Sequence, residues 1–195
     1  MTAEAFDHFY AVATGLVAAE PELMEFAGWP AITFVEKAHT PLPVVEILAE
    51  YDLDHTGASA ELHRAVQAVA GYADWQQTYT EQEVGADFLA RYGYFELIGP
   101  SGHFQSDQIR AYIAYWGHGL VYDWHLHEAE ELYYIVSGSA LFQAQGVESK
   151  VLGPGDIRTH GSNQPHAMTT TDSPVLTLVL WRGAGLTGLP RMGRA

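Results

Sequence analysis

The chain reads as a mainly β protein, a barrel or jelly roll with a helical layer contributed by its N-terminal half. From about Tyr94 onward, short runs rich in Tyr, Val, Ile and Leu are separated by Gly, Pro, Ser and Asp. That density of short apolar segments and turn residues is the signature of an all-β barrel or sandwich. Before Tyr94, apolar residues recur at helical spacing instead. No internal repeat divides the 195 residues, which suffice for one domain with a substantial core.

The helical half is predicted as follows. Residues 3–27 carry apolar residues at helical spacing, with Pro21 as a break or a helix start. Residues 40–52 form a short second helix or turn. In "SAELHRAVQAVAGYADWQQTY", Leu62, Ala65, Val66, Val69 and Tyr72 or Ala73 fall on one face of an amphipathic helix. "EQEVGADFLARYG" continues in the same manner and stops at Gly93. Strands are expected near 94–99, 108–117, 120–127, 131–137, 139–145, 148–152, 156–160 and 165–181, the last broken at "TDSP". Residues 1–93 are thus a helical region packed on a barrel of residues 94–195.

Composition narrows the function. The formal net charge is −15, and the nine basic residues form no cluster of the kind that phosphate backbones require, so nucleic acid is not an expected partner. An acidic surface suits solubility and tolerates a cationic or zwitterionic substrate. No apolar stretch approaches a membrane span, and the N-terminus lacks the basic start of a secretory signal. A cytoplasmic protein is the simplest reading. With no cysteine, there are no disulfides, and a metal must be held by nitrogen and oxygen.

The stretch "WHLHEAEELYYIVSG", residues 124–138, concentrates such ligands. His125 and His127 are two apart and share one strand face, and Glu131 and Tyr133 have the same parity. One straight strand from 125 to 133 would run roughly 26 Å, too far for the ligands of one ion. The chain must therefore turn at about 128–130. The expectation is that the two histidines end one strand and that Glu131 and Tyr133 begin its antiparallel neighbour. Downstream, "GPGD" and "GSNQP" are turns, and His166 opens the last long strand. Two histidines, a glutamate and a distant histidine suit Zn²⁺, Fe²⁺, Mn²⁺ or Ni²⁺. His8, His39, His55, His63, His103 and His118 lack partner spacing and read as structural or solvated. His160, on the strand before His166, is a candidate for an outer or pocket role.

These residues resemble the two cupin motifs. "HLHEAEELYYIVSG" is similar to the first, through His125, His127, Glu131 and Gly138. "GPGDIRTHGSNQPHAM" is similar to the second in degenerate form, through Gly153, Pro154, Gly155 and His166. The resemblance implies a double-stranded β-helix barrel over residues 94–182 with a divalent metal in its mouth. Tyr133 two residues after Glu131, Tyr122 upstream of the histidines and Trp181 on the last strand look like the cupin-type dimethylsulfoniopropionate lyases. Chain length and the helical half look most like the DddQ type.

That likeness implies β-elimination of a small zwitterion to dimethyl sulfide and acrylate. The metal would be Zn²⁺, Fe²⁺ or Mn²⁺, ligated by His125, His127, Glu131, His166 and Tyr133. Tyr133 would be the proton-abstracting base and Tyr122 a second catalytic tyrosine. Tyr122, Trp124 and Trp181 would receive the sulfonium through cation–π attraction. Alternation puts Tyr122 and Trp124 out of phase with His125, so a bulge or turn must bring Tyr122 inward. An iron(II) dioxygenase of a small thiol or acid and a non-catalytic ligand-binding cupin are the competing readings.

Overall fold

In the computed structural model, residues 2–193 are described. Helices α1 (Thr2–Ala19), α2 (Pro21–Ala27), α3 (Val44–Ala49), α4 (Ala58–Ala70), α5 (Glu81–Val84) and α6 (Ala86–Ala90) precede strands β1–β11. Pro21 starts α2, as its fixed φ and missing N–H favour. The amphipathic helix is shorter than its pattern suggested. It ends at Ala70, whose carbonyl accepts the Trp75 indole N–H at 2.8 Å, and Gln76 then bridges to Tyr94. Ala73 is buried and Tyr72 half exposed. The predicted helix over 81–93 breaks at Gly85 (φ 84°) and ends at Ala90. Gly93 is no helix stop: it lies inside β1, where a Cβ would come within 2.9 Å of Val44 Cγ1.

The strands are β1 (Tyr92–Gly99), β2 (Phe104–Gln105), β3 (Arg110–Trp116), β4 (Val121–Leu126), β5 (Glu130–Gly138), β6 (Ala140–Ala144), β7 (Val147–Leu152), β8 (Ile157–His160), β9 (His166–Thr169), β10 (Val175–Arg182) and β11 (Arg191–Met192). The expected break at "TDSP" separates β9 from β10. The two-residue strands β2 and β11 were too short to leave a periodic signal. One sheet has the order β2-β1-β3-β10-β5-β8 and the other β11-β4-β9-β6-β7.

This order corrects one expectation. β4 and β5 are not antiparallel neighbours. β4 pairs with β9 and β11, β5 with β10 and β8, and the short connection after Leu126 crosses from one sheet to the other. Residues from the two strands still converge because the inner faces of the two sheets oppose each other.

Both faces of the six-stranded sheet are buried. Leu132, Tyr134 and Val136 of β5, with Leu176, Leu178 and Leu180 of β10, pack outward among Phe6, Phe9, Leu62 and Val66 of the helices. Tyr133, Ile135, Val179 and Trp181 point inward with Tyr92, Tyr94, Tyr112 and Trp116. The helical layer and the sheet therefore share one core. Gly138 ends β5 with φ 71°, and a Cβ there would lie 1.8 Å from the Pro174 carbonyl oxygen. Among the described residues no helix is long and apolar enough to cross a membrane.

Two buried histidines join the layers. His63 of α4 meets the Ser137 hydroxyl of β5 at 2.7 Å, and His103 Nε2 accepts the Asp74 amide at 3.2 Å while stacking on Phe6. Burial holds both imidazoles down to about 4. The unfolded chain binds these protons near pH 6.5 and the folded chain resists them, so stability falls as pH drops from about 6.5 toward 4. In His63→Asn the dependence of the unfolding midpoint on pH across this window should be shallower than in the parent. An equal slope by thermal denaturation would refute the assignment.

Candidate metal centre and active-site pocket

The site forms where β4 crosses to β5 and where β9 begins. His127 lies in the crossing, with Nδ1 2.9 Å from the Ala129 carbonyl. Its own carbonyl accepts the Asn163 amide at 2.8 Å, which ties it to the turn preceding His166. That turn uses Asn163 at φ 55°. His166 Nδ1 sits 2.8 Å from the Gln164 carbonyl. A carbonyl at Nδ1 requires the proton there, so each Nε2 carries its lone pair inward, the tautomer a metal needs.

Glu131, at the start of β5, meets them. Its Oε2 is 3.4 Å from His127 Nε2 and 3.1 Å from His166 Nε2. Ligand atoms of His127, Glu131 and His166 all lie within 4.8 Å of one another. Both Nε2 atoms are buried and lack a hydrogen-bond partner. Two orphaned imidazole nitrogens and a buried carboxylate oxygen converging on one point fit a divalent ion.

The carboxylate is held from both sides. The Trp181 indole N–H donates to Oε1 at 2.8 Å, and His160 Nδ1 lies 2.9 Å from Oε2. Burial opposes ionisation of Glu131, but the imidazoles of His127, His160 and His166 gathered around it hold its carboxyl well below the usual range. His160 also stacks on His166 at 4.0 Å between ring centroids, and burial pulls its imidazole down to about 4.

His125 stands beside this set rather than within it. Its Nδ1 is 2.9 Å from the Asp123 carbonyl, its face stacks on Tyr122 at 3.9 Å, and its ring meets His166 at 4.0 Å. A register shift in the β4–β9 ladder falls between Tyr122 and His125, and this bulge turns Tyr122 inward despite its parity. Tyr122 hydrogen-bonds the Tyr79 hydroxyl at 2.7 Å. Trp124 keeps the outward phase, half-buried beside a separate surface groove with Glu83, Val121 and Asp123.

Tyr133, Glu131, Tyr122 and Trp181 together line a cavity that opens to solvent. Tyr92, Tyr94, Tyr112 and Trp116 complete its aromatic walls. The sequence pattern alone did not single these four out, although "YGY" and "YIAYW" place Tyr92 with Tyr94, and Tyr112 with Trp116, in one alternation phase, a readable inward one. Arg110 also lines the cavity and gave no local signal.

Comparison with known proteins agrees with this architecture. A family model described as dimethylsulfoniopropionate lyase matches residues 31–177. The dimethylsulfoniopropionate lyase DddQ of Ruegeria pomeroyi is 40% identical over 189 residues, 93% of this chain and 91% of that protein. A putative dimethylsulfoniopropionate lyase, DddL, of Cereibacter sphaeroides is 28% identical over 68% of this chain and 56% of its own length. Among solved structures, a chain from the crystal structures of the lyases RdDddP and RnDddQII superposes with a TM-score of 0.96 at 45% identity, covering 99% of this chain and 100% of that one. The crystal structure of DddQ from Ruegeria pomeroyi gives 0.89 at 37%, covering 97% and 96%. The barrel is a cupin double-stranded β-helix with a buried His–His–Glu group able to hold a metal. More narrowly, the chain belongs to the dimethylsulfoniopropionate lyase family.

His166→Ala removes one of the three convergent ligand atoms. It should weaken zinc binding by about 100-fold, or about 2.7 kcal/mol, in competition with a chromophoric chelator. Affinity equal to the parent's would refute this ligand set.

Proposed function

We propose that the protein cleaves dimethylsulfoniopropionate to dimethyl sulfide and acrylate by β-elimination, with Tyr133 as the base. One observation carries this reading: Tyr133 stands two residues from Glu131 in the wall of an aromatic cavity beside His127 and His166. The family membership supports it. We assign the metal to His127, Glu131 and His166, with Tyr133 able to approach the same point and His125 supporting it through its packing on His166.

When bound, a divalent ion such as Zn²⁺, Fe²⁺ or Mn²⁺ supplies positive charge that stabilises the substrate carboxylate as it gains electron density and favours the Tyr133 phenolate. Without that charge, burial and the nearby Glu131 carboxylate push the Tyr133 phenol well above 10. Tyr133 takes the proton from the carbon next to the carboxylate. The C–H electron pair becomes the new C=C bond, and the C–S pair leaves with sulfur as neutral dimethyl sulfide. No electrons enter or leave, so no oxidant is needed. Tyr122, its hydroxyl fixed by Tyr79 and its ring stacked on His125, lines the same cavity. Aromatic faces suit a poorly hydrated sulfonium, and the buried walls exclude water from the reacting carbons. Trp181 contributes its ring to this wall while its N–H is committed to Glu131.

Headspace gas chromatography under nitrogen tests the reaction. Metal-loaded protein should release dimethyl sulfide from dimethylsulfoniopropionate, and an EDTA-treated sample should not. Turnover that required oxygen would point instead to an iron(II) dioxygenase, and silence across several metals to a binding protein. Tyr133→Phe should lower kcat by at least about 100-fold while retaining metal; full activity would remove Tyr133 from the base role. Trp181→Phe should weaken metal binding by about tenfold through loss of the Glu131 hydrogen bond; unchanged affinity would confine Trp181 to the cavity wall.

A further inference from the structure

Arg110 is a buried cation in a cavity whose proposed substrate is itself part cation, and four of its five N–H donors are committed within the protein. Its Nε and Nη2 reach Glu96 Oε2 at 2.9 and 2.7 Å. Its Nη1 donates to the carbonyl of Leu186 at 2.6 Å and lies 3.3 Å from that of Gly188. Its guanidinium sits over the rings of Tyr112 and Trp181, at 4.7 and 5.5 Å. The fork that would grip a substrate carboxylate is taken up by Glu96.

A buried ion pair rarely stabilises a fold better than apolar residues of the same shape, so its purpose is sought in what it holds. It holds the chain after β10. Gly188, Leu189 and Pro190 of that segment form one wall of the cavity, and Leu189 is 64% exposed at its rim. Among the described residues, Leu186 also packs on the inner core, the Gly188 amide donates to the Gly185 carbonyl at 2.9 Å, and the segment is pinned near its ends. Gly185 packs so closely on Glu128 that a Cβ would lie 2.7 Å from the Glu128 Cβ, and β11 pairs with β4 at Leu126 and His125. Between these pins the Arg110 guanidinium is the hook. Glu96 is fixed in turn by accepting the Ser101 amide at 2.7 Å.

We infer that Arg110, oriented by Glu96, is a positioning residue that fixes the 186–190 segment as the outer wall of the substrate cavity. It acts on substrate binding through that wall and touches no reacting atom. The kinetic part rests on the proposed lyase reading; the structural part does not.

The test replaces the pair together, because Arg110→Met alone strands a buried carboxylate. In Glu96→Gln/Arg110→Met the amide keeps an acceptor for Ser101, and no unpaired charge remains. Amides of residues 185–189 should then exchange hydrogen at least about tenfold faster, while those of β5 and β10 do not change. KM for dimethylsulfoniopropionate should rise about tenfold with kcat within about threefold of the parent. Arg110→Lys, which keeps the charge but loses the fork, should show the same faster exchange. Parent-like exchange at 185–189 in the double variant would overturn the anchor. Faster exchange with parent KM would overturn its role in substrate binding. If the parent itself turns over no dimethylsulfoniopropionate, the lyase reading fails, and exchange alone decides the anchor.

Discussion

The site is organised around one buried negative charge. Glu131 is 3% exposed, and such a carboxylate is tolerated only when its oxygens are paired. Its partners are the Trp181 indole and the imidazoles of His127, His160 and His166, none of them a fixed cation. Protonation of a histidine or capture of a metal ion can balance the charge. Burial lowers the His127 imidazole, yet Glu131 raises it above its ordinary value, so in this pocket proton and metal compete for the same electrostatic vacancy. The Nδ1 contacts of His127 and His166 favour the metal by keeping Nε2 as a lone pair.

Holding those three ligands together is a task for the whole barrel. His127 hangs on a crossing between sheets, Glu131 begins a strand of one sheet, and His166 begins a strand of the other. β5 must then be buried on both faces, Tyr133 inward and Tyr134 outward onto the helices, where burial raises its phenol. The helical layer therefore supports the strand that carries both Glu131 and Tyr133.

Much of this was legible because it is periodic. The parity of Glu131, Tyr133 and Tyr134 placed each on its correct face, and the turn residues of "TDSP" and "GPGD" located real strand ends. What was not legible depends on partners distant in the chain. No local pattern states that β4 pairs with β9 instead of β5, so the two-strand hairpin expected at 128–130 failed while the convergence it was meant to explain held. The inward turn of Tyr122 needs a bulge whose register is set against β9. His125 and His127 look equivalent in the sequence; the chain leaves the strand between them, and their side chains reach different neighbours. Arg110 belongs to a wall that returns from 76 positions away.

The arrangement of charge also limits how a zwitterion can sit. At the mouth, Arg110 and Glu96 neutralise each other, and the guanidinium already occupies faces of Tyr112 and Trp181. At the inner end, an ion of charge +2 at His127, Glu131 and His166 would outweigh Glu131 alone, and with Tyr133 as the phenolate it would balance both anions while still being the one positive group of that end. A carboxylate is drawn to that end, and a sulfonium is repelled from it toward the uncharged walls of Tyr92, Tyr94 and Trp116. On the proposed reading, this polarity brings the carbon beside the carboxylate, the one that loses its proton, nearest the strand position that carries Tyr133.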